Sequence, residues 1–185
     1  MIKLPLLEHP LLYTDRLVLR KIDENIDLLD FYSIRSNEDA MRYIPRPVAT
    51  DPSEVLALIN EGNAGYERGE MLSLAIALRE SNKFIGVVGF YRIDWDNHRT
   101  EIGYILNPAY SGMGYMHEAC TALIHFAFTE IDFHSLEAII EAENHKSINV
   151  LEKLGFTREA YFKEKGFSNG KYIDLLVYSL LNPNH

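Results

Sequence analysis

Residues 99–119, RTEIGYILNPAYSGMGYMHEA, constrain this chain more than any other stretch. Glu101-Ile102-Gly103-Tyr104-Ile105-Leu106 alternates and reads as a strand, and Asn107-Pro108 breaks it. Ser111-Gly112-Met113-Gly114-Tyr115-Met116 opens a helix over about 113–130, with the apolar stripe Met116, Ala119, Cys120, Leu123, Phe126 and Ala127. Leu136-Glu137-Ala138-Ile139-Ile140 is the next strand. Two strands joined by one crossover helix pair in parallel, with a right-handed connection. The turn between the first strand and the helix has its own chemistry. Glycines let backbone N–H groups point outward, and a helix start adds unpaired N–H groups and the positive end of the macrodipole. Gly112 to His117 is therefore a candidate cradle for a phosphate or pyrophosphate.

Around this unit the chain reads as one domain spanning 1–185. After an irregular lead-in over 1–15, Arg16–Ile22 alternates as a first strand. Asp23 caps a helix over about 24–37, with Ile26, Leu29, Asp30, Phe31 and Ile34 near helical spacing. Asp51-Pro52-Ser53-Glu54 opens a second helix to about Arg68. Strands over 72–78, 84–91 and 101–106 are joined by turns short enough to require antiparallel neighbours. Trp95 and His98 read as turn surface. Asn144 starts a short helix stopped by Gly155, and final strands over 156–165 and 171–181 meet at a Phe167-Ser168-Asn169-Gly170 turn. The order βααβββαβαββ predicts an α/β fold: a mixed, mostly antiparallel twisted sheet of about seven strands with four helices.

Composition excludes several classes. A net charge of −9 argues against a nucleic-acid partner. The longest uncharged apolar stretch, about 119–129, is too short to span a bilayer, and the N-terminus lacks a signal-peptide layout. The single cysteine, Cys120, forms no internal disulfide and reads as a buried structural thiol. No His, Cys, Asp or Glu cluster has a familiar metal-ligand spacing. The expectation is a cytoplasmic protein without metal or membrane attachment, either a monomer or a homodimer.

Three separated stretches agree on a family: Thr14-Asp15-Arg16-Leu17-Val18-Leu19-Arg20; Glu101-Ile102-Gly103-Tyr104 with Ser111-Gly112-Met113-Gly114-Tyr115-Met116-His117-Glu118-Ala119; and Asn144 through Phe156, NHKSINVLEKLGF. Together they resemble the GCN5-related N-acetyltransferases (GNAT), within them the RimJ/RimL-type ribosomal-protein N-terminal acetyltransferases, over essentially the whole chain. The resemblance implies acetyl-coenzyme A as donor, with its pyrophosphate on the backbone of Gly112, Met113, Gly114, Tyr115, Met116 and His117. Ile105 and Leu106 would offer backbone groups to the pantetheine amides. A bulge on their strand would splay it from the strand at 136–140, leaving the thioester in the gap. Asn144 would bond the cofactor from the start of its helix. Ser111 and Met116 depart from the family's usual turn; because the contacts are backbone, binding is expected to survive with Met116 packed into the helix. Leu151 stands where many relatives carry a Tyr acid, and the resemblance assigns that role to Ser147.

Acetyl transfer needs a neutral amine. At pH 7.5 an α-amine is neutral to roughly a third, whereas a lysine amine is neutral at about one part in a thousand. A weak base suffices for an N-terminus. Glu101, on the strand bordering the gap, is the first candidate and Glu159 the second; Tyr104, Tyr161 and Tyr172 are candidates for lining the acceptor side. The favoured acceptor is a primary amine, foremost the N-terminal α-amine of a ribosomal or other protein. The alternatives are a small-molecule amine (polyamine, amino sugar, amino acid or antibiotic) and a catalytically silent acyl-CoA-binding module.

Overall fold

The computed structural model describes residues 8–168 and 170–185. The expected lead-in over 1–7 and Asn169 of the last turn lie outside the described residues. The elements run β1 (Leu12–Tyr13), β2 (Leu17–Lys21), α1 (Glu24–Arg35), α2 (Glu38–Met41), α3 (Pro52–Glu67), β3 (Leu72–Leu78), β4 (Phe84–Asp94), β5 (Arg99–Leu106), α4 (Tyr115–Phe126), β6 (Ser135–Glu141), α5 (His145–Lys153), β7 (Thr157–Ser168) and β8 (Lys171–Leu181). One mixed sheet orders the strands β1-β2-β3-β4-β5-β6-β8-β7, with β5–β6 the only parallel pair among them. The strand beyond the expected seven is β1, two residues paired to β2 through Leu12↔Leu19 and Tyr13↔Val18. The additional helix α2 is one turn, capped by Asn37, and too short to show a period.

Alternation along the strands feeds two apolar layers. Leu17, Leu74, Phe90, Ile102, Leu123 and Phe133 belong to the layer under α4 and α5; Phe31, Ile34, Val55, Ile59, Phe84 and Val87 belong to the layer under α1 and α3. The α4 stripe is buried as expected, with Ala119, Cys120, Leu123 and Ala127 at 0% exposure. After Phe126 the helix widens into a π turn over Ala127–Ile131 and ends at Asp132, which sits at φ 68°. The indole of Trp95 donates to the Gly69 carbonyl at 2.8 Å and its ring packs on Phe133, so Trp95 anchors the β4–β5 turn to the core.

The face of α1 differs from its hydropathy. Ile26 and Leu29 are exposed, whereas the buried stripe is Asp27, Phe31, Ile34 and Arg35. Asp27 is turned inward by Arg20, whose Nη1 and Nη2 donate to its two oxygens at 2.6 and 2.8 Å. Two charged residues, Asp27 and Arg35, thus join Phe31 and Ile34 on the buried face in place of Ile26 and Leu29.

Candidate functional site

β5 and β6 pair only over Arg99↔Ser135, Thr100↔Leu136 and Glu101↔Glu137. Beyond Glu101 they part, and the edge of β5 from Ile102 to Leu106 has no ladder partner on that side. Peptide groups on an unpaired edge need another partner. The expected gap is there, but the irregularity lies on β4 rather than on β5. The β4–β5 register is one-to-one from Gly86↔Leu106 to Tyr91↔Glu101 and shifts between Tyr91 and Asp94. Arg92 in that bulge has φ 51°.

Strand alternation places groups on both faces of the opening. Glu101 shares the α1–α3 face with its cross-strand partner Tyr91, whose ring lies over Gly103: a Cβ there would come within 2.9 Å of it. Arg92 donates to Glu101, an ion pair the bulge makes possible. Burial pushes the Glu101 carboxyl above its usual range and Glu137 adds to this, while Arg92 opposes it. Glu101 is therefore a carboxylate with more proton affinity than a surface glutamate.

The opposite face carries Tyr104. Its hydroxyl is buried without a hydrogen-bond partner. Burial pushes the phenol upward, and the side chain of Ser147 tempers the shift from close by, short of good hydrogen-bond geometry. Ser147 is on α5, whose first turn is fixed by Asn144: its Oδ1 accepts the Ser147 N–H at 3.2 Å. That leaves the Asn144 side-chain NH2 as the group able to reach a ligand.

The glycine turn leads from β5 into α4. Asn107 Oδ1 accepts the Ala109 N–H, and a 3-10 turn over Pro108–Tyr110 follows. Gly112 and Gly114 have φ 78° and 81°, conformations that cost other residues strain. Gly114 is the N-cap of α4 and gives no side-chain cap, so the first N–H groups of the helix stay open. Nothing lies within 4 Å of where a Gly112 Cβ would stand. Met116 is 8% exposed and packs into the core, as expected, so it presents only backbone to the turn. Tyr115 is held by Arg16, whose guanidinium lies 4.4 Å from its ring centre; Met113 and His117 are exposed.

Sequence reasoning did not explain why Thr14 and Arg16 accompany this turn. Glu118, in the first turn of α4, accepts the Arg16 N–H at 2.9 Å, Arg16 Nε at 2.7 Å and the Thr14 hydroxyl at 2.5 Å. Arg16 Nη1 donates to the Met113 carbonyl at 2.9 Å. This clasp ties the β1–β2 corner to the cradle. Residues the sequence did not single out are Arg92, Tyr91, Glu137 and Arg35; pairing register alone would have pointed to Tyr91 and Glu137.

The other candidates lie on β7 and β8. Glu159 is on edge strand β7, with β8 and β6 between it and β5, and accepts the Ser179 hydroxyl at 2.6 Å. Tyr161 donates to Asp174 on the β7–β8 hairpin, and Tyr172 packs against Phe167 there. No helix among the described residues is long and apolar enough to cross a membrane.

A cleft of open strand edge beside an uncapped helix start suits an extended ligand ending in a pyrophosphate. The orphaned Tyr104 hydroxyl in the gap and the open turn at Gly112 fit coenzyme A. Comparison with known proteins agrees. The family model described as "Acetyltransferase (GNAT) domain" matches residues 16–157. The uncharacterized N-acetyltransferase p20 of Bacillus licheniformis is 35% identical over 171 residues, 92% of this chain and 95% of that protein. The crystal structure of a GNAT-family acetyltransferase from Bacillus anthracis superposes with a TM-score of 0.84 at 28% identity, covering 94% of this chain and 99% of that one. RimL, a ribosomal L7/L12 alpha-N-protein acetyltransferase in complex with coenzyme A, shares the fold with a TM-score of 0.84 at 24% identity, covering 93% and 98%.

Proposed function

The chain belongs to the GNAT acetyltransferase family, and from that premise we propose that it transfers the acetyl group of acetyl-coenzyme A to a primary amine, foremost the α-amine of a protein N-terminus. The observation that carries this reading is the β5–β6 opening, with Glu101 on one face, Tyr104 and Ser147 on the other, and the uncapped start of α4 beside it.

When bound, acetyl-coenzyme A supplies an acyl group activated by a thiol leaving group. The N–H groups from Gly112 to His117 bind its pyrophosphate. The backbone of Ile105 and Leu106 holds the pantetheine amides on the open edge of β5, and the Asn144 side-chain NH2 adds a donor from α5. The Glu101 carboxylate takes the proton from the acceptor ammonium, directly or through one water; its raised proton affinity brings it nearer to that task. As the C–N bond forms and the C–S bond breaks, the Ser147 hydroxyl, with Tyr104 close by, would give its proton to the thiolate and regain one from the nitrogen that has been acylated. An α-amine is far less basic than a lysine side chain, so one carboxylate is enough.

The test is an amine panel containing ribosomal-protein N-terminal peptides, amino acids, aminoglycosides and polyamines, read by mass spectrometry with wild type, Glu101→Gln and Ser147→Ala. Peptide acetylation that falls at least about tenfold in each variant supports the assignments. Wild-type turnover in both variants overturns them. Tight coenzyme A binding with no acetylated amine in the panel would make the protein a binding module.

A further inference from the structure

Arg35, the last residue of α1, is 6% exposed, and its buried Nε has no hydrogen-bond partner. Its guanidinium offers five N–H donors. The hydrogen bond the structure gives it is a long one, Nη2 to the Pro47 carbonyl at 3.5 Å. Among the described residues no carboxylate forms an ion pair with it, whereas Arg20 in the same layer is neutralised by Asp27. Glu54 acts on it only from beyond ion-pair distance, so a buried cation is left with most of its donors unused, an unfavourable arrangement that an anionic ligand would relieve.

Its location identifies the ligand. The carbonyl of Arg35 accepts the Ala49 N–H at 2.9 Å, fixing the link between α2 and α3 over α1. That link reaches across the opening, since Tyr43 donates to the Glu143 carbonyl next to α5 at 3.2 Å. α1 packs against β4, whose Tyr91 is the cross-strand partner of Glu101, and the charges of Arg35 and Arg46 act on that tyrosine. Arg35 and Arg46 therefore sit on the Glu101 face of the opening, where the acceptor enters. Arg92 is already paired with Glu101, but Arg35 and Arg46 form no ion pair among the described residues, and two such cations are unsuited to a polyamine and suited to an anion. A guanidinium recognises a carboxylate through paired parallel hydrogen bonds.

We propose that Arg35, supported by Arg46, is the anchor for a carboxylate on the acceptor, so that the amines this protein acetylates are those that also carry an acidic group. This rests on the acyl-transfer reading above and narrows its substrate class. The carboxylate could belong to a free amino acid or to an acidic side chain just after a peptide N-terminus, and the experiment separates the two.

The experiment uses acceptors matched except for charge: an amino acid and its amide, an N-terminal peptide with Asp or Glu at its second and third positions and its Asn or Gln counterpart, and spermidine. Wild type, Arg35→Met, Arg35→Lys and Arg46→Met are compared by kcat/KM at saturating acetyl-coenzyme A. Thermal shifts with the same compounds are read in the presence of coenzyme A. The expected result is a preference of about tenfold or more for the acid over its neutral match in one arm. In Arg35→Met it falls below about threefold with the KM for acetyl-coenzyme A unchanged, and Arg35→Lys restores part of it. If Arg35→Met does not fold, Arg35→Lys and Arg46→Met must each reduce the preference. Equal rates for acid and amide in wild type, preference for spermidine, or a preference that survives in Arg35→Met overturns the proposal. If no amine is acetylated, the transfer reading fails by itself. The anchor still stands if the acids raise the melting temperature of wild type and not of Arg35→Met, and falls if they do not.

Discussion

Replacing Glu118 by alanine should loosen the coenzyme cradle without touching any group that contacts the ligand. Glu118 carries the clasp from β2 to α4, and its side chain is 18% exposed. Alanine leaves the Arg16 N–H and the Thr14 hydroxyl without their acceptor, and hydrogen bonds to a charged group each contribute about 1.5–3 kcal/mol before any discount for solvent. Arg16 is 46% exposed, so its ion pair adds less than about 1 kcal/mol. Allowing for partial hydration of both donors, the total is about 2–4 kcal/mol. For a chain of this size that lowers the melting temperature by about 5–15 °C. Glu118→Gln keeps an oxygen for both donors but loses their charge assistance and the ion pair, so it should cost roughly half as much as the alanine variant. Freed from Glu118, Arg16 no longer fixes the Met113 carbonyl or the Tyr115 ring, and coenzyme A should bind about tenfold more weakly to the alanine variant, measured by calorimetry at a temperature where it is folded. Burial alone would push the Glu118 carboxyl up, but the bonds from Thr14 and Arg16 outweigh it and hold it below 4.5. The clasp thus contributes fully above that value, and its contribution is lost as pH falls through the lower folded value. A melting temperature within 2 °C of wild type for Glu118→Ala, or equal losses for the alanine and glutamine variants, would refute this account.

Gly114→Ala should cost about 1–2 kcal/mol, because φ 81° is unfavourable for alanine, and should weaken coenzyme A binding; the new Cβ meets Arg16 Nη2 at 3.4 Å, a movable end. Thermal melts with and without ligand check both effects. Glu101→Gln should reduce kcat/KM yet leave the melting temperature at pH 7.5 unchanged or higher. Burial raises the folded proton affinity of Glu101, so its destabilising effect sets in as pH rises from about 4.5 through the folded value. A variant that melts well below wild type at pH 7.5 and not at pH 4 contradicts that sign. Cys120 is fully buried and burial pushes its thiol well above the ordinary range, so a thiol reagent should label it only on unfolding; rapid labelling of the native protein would show that α4 opens locally.

The sequence determined whatever local chemistry dictates. Alternation, short turns and capping residues such as Asp23, Asp51 and Asn144 marked the elements, and the single crossover helix dictated the one parallel pair. The glycine turn was legible because glycines that can swing to positive φ stand directly before a helix start, and Met116 because it falls on the apolar stripe of α4. What only the tertiary structure decided depends on partners far apart in the chain. Hydropathy assigned Ile26 and Leu29 to the inner face of α1, and the Arg20–Asp27 pair turned Asp27 inward instead. The partner of Glu101 exists because a one-residue bulge in β4 re-aims Arg92, and a bulge leaves no periodic trace. Glu159 lost its place at the opening because β8 inserts between β6 and β7, a strand order that no local pattern encodes. Arg35 looks like an ordinary helix-ending arginine in sequence. The link closing over α1 buries it with no carboxylate in ion-pair contact among the described residues, since burial is a property of the assembled layers and not of the residue.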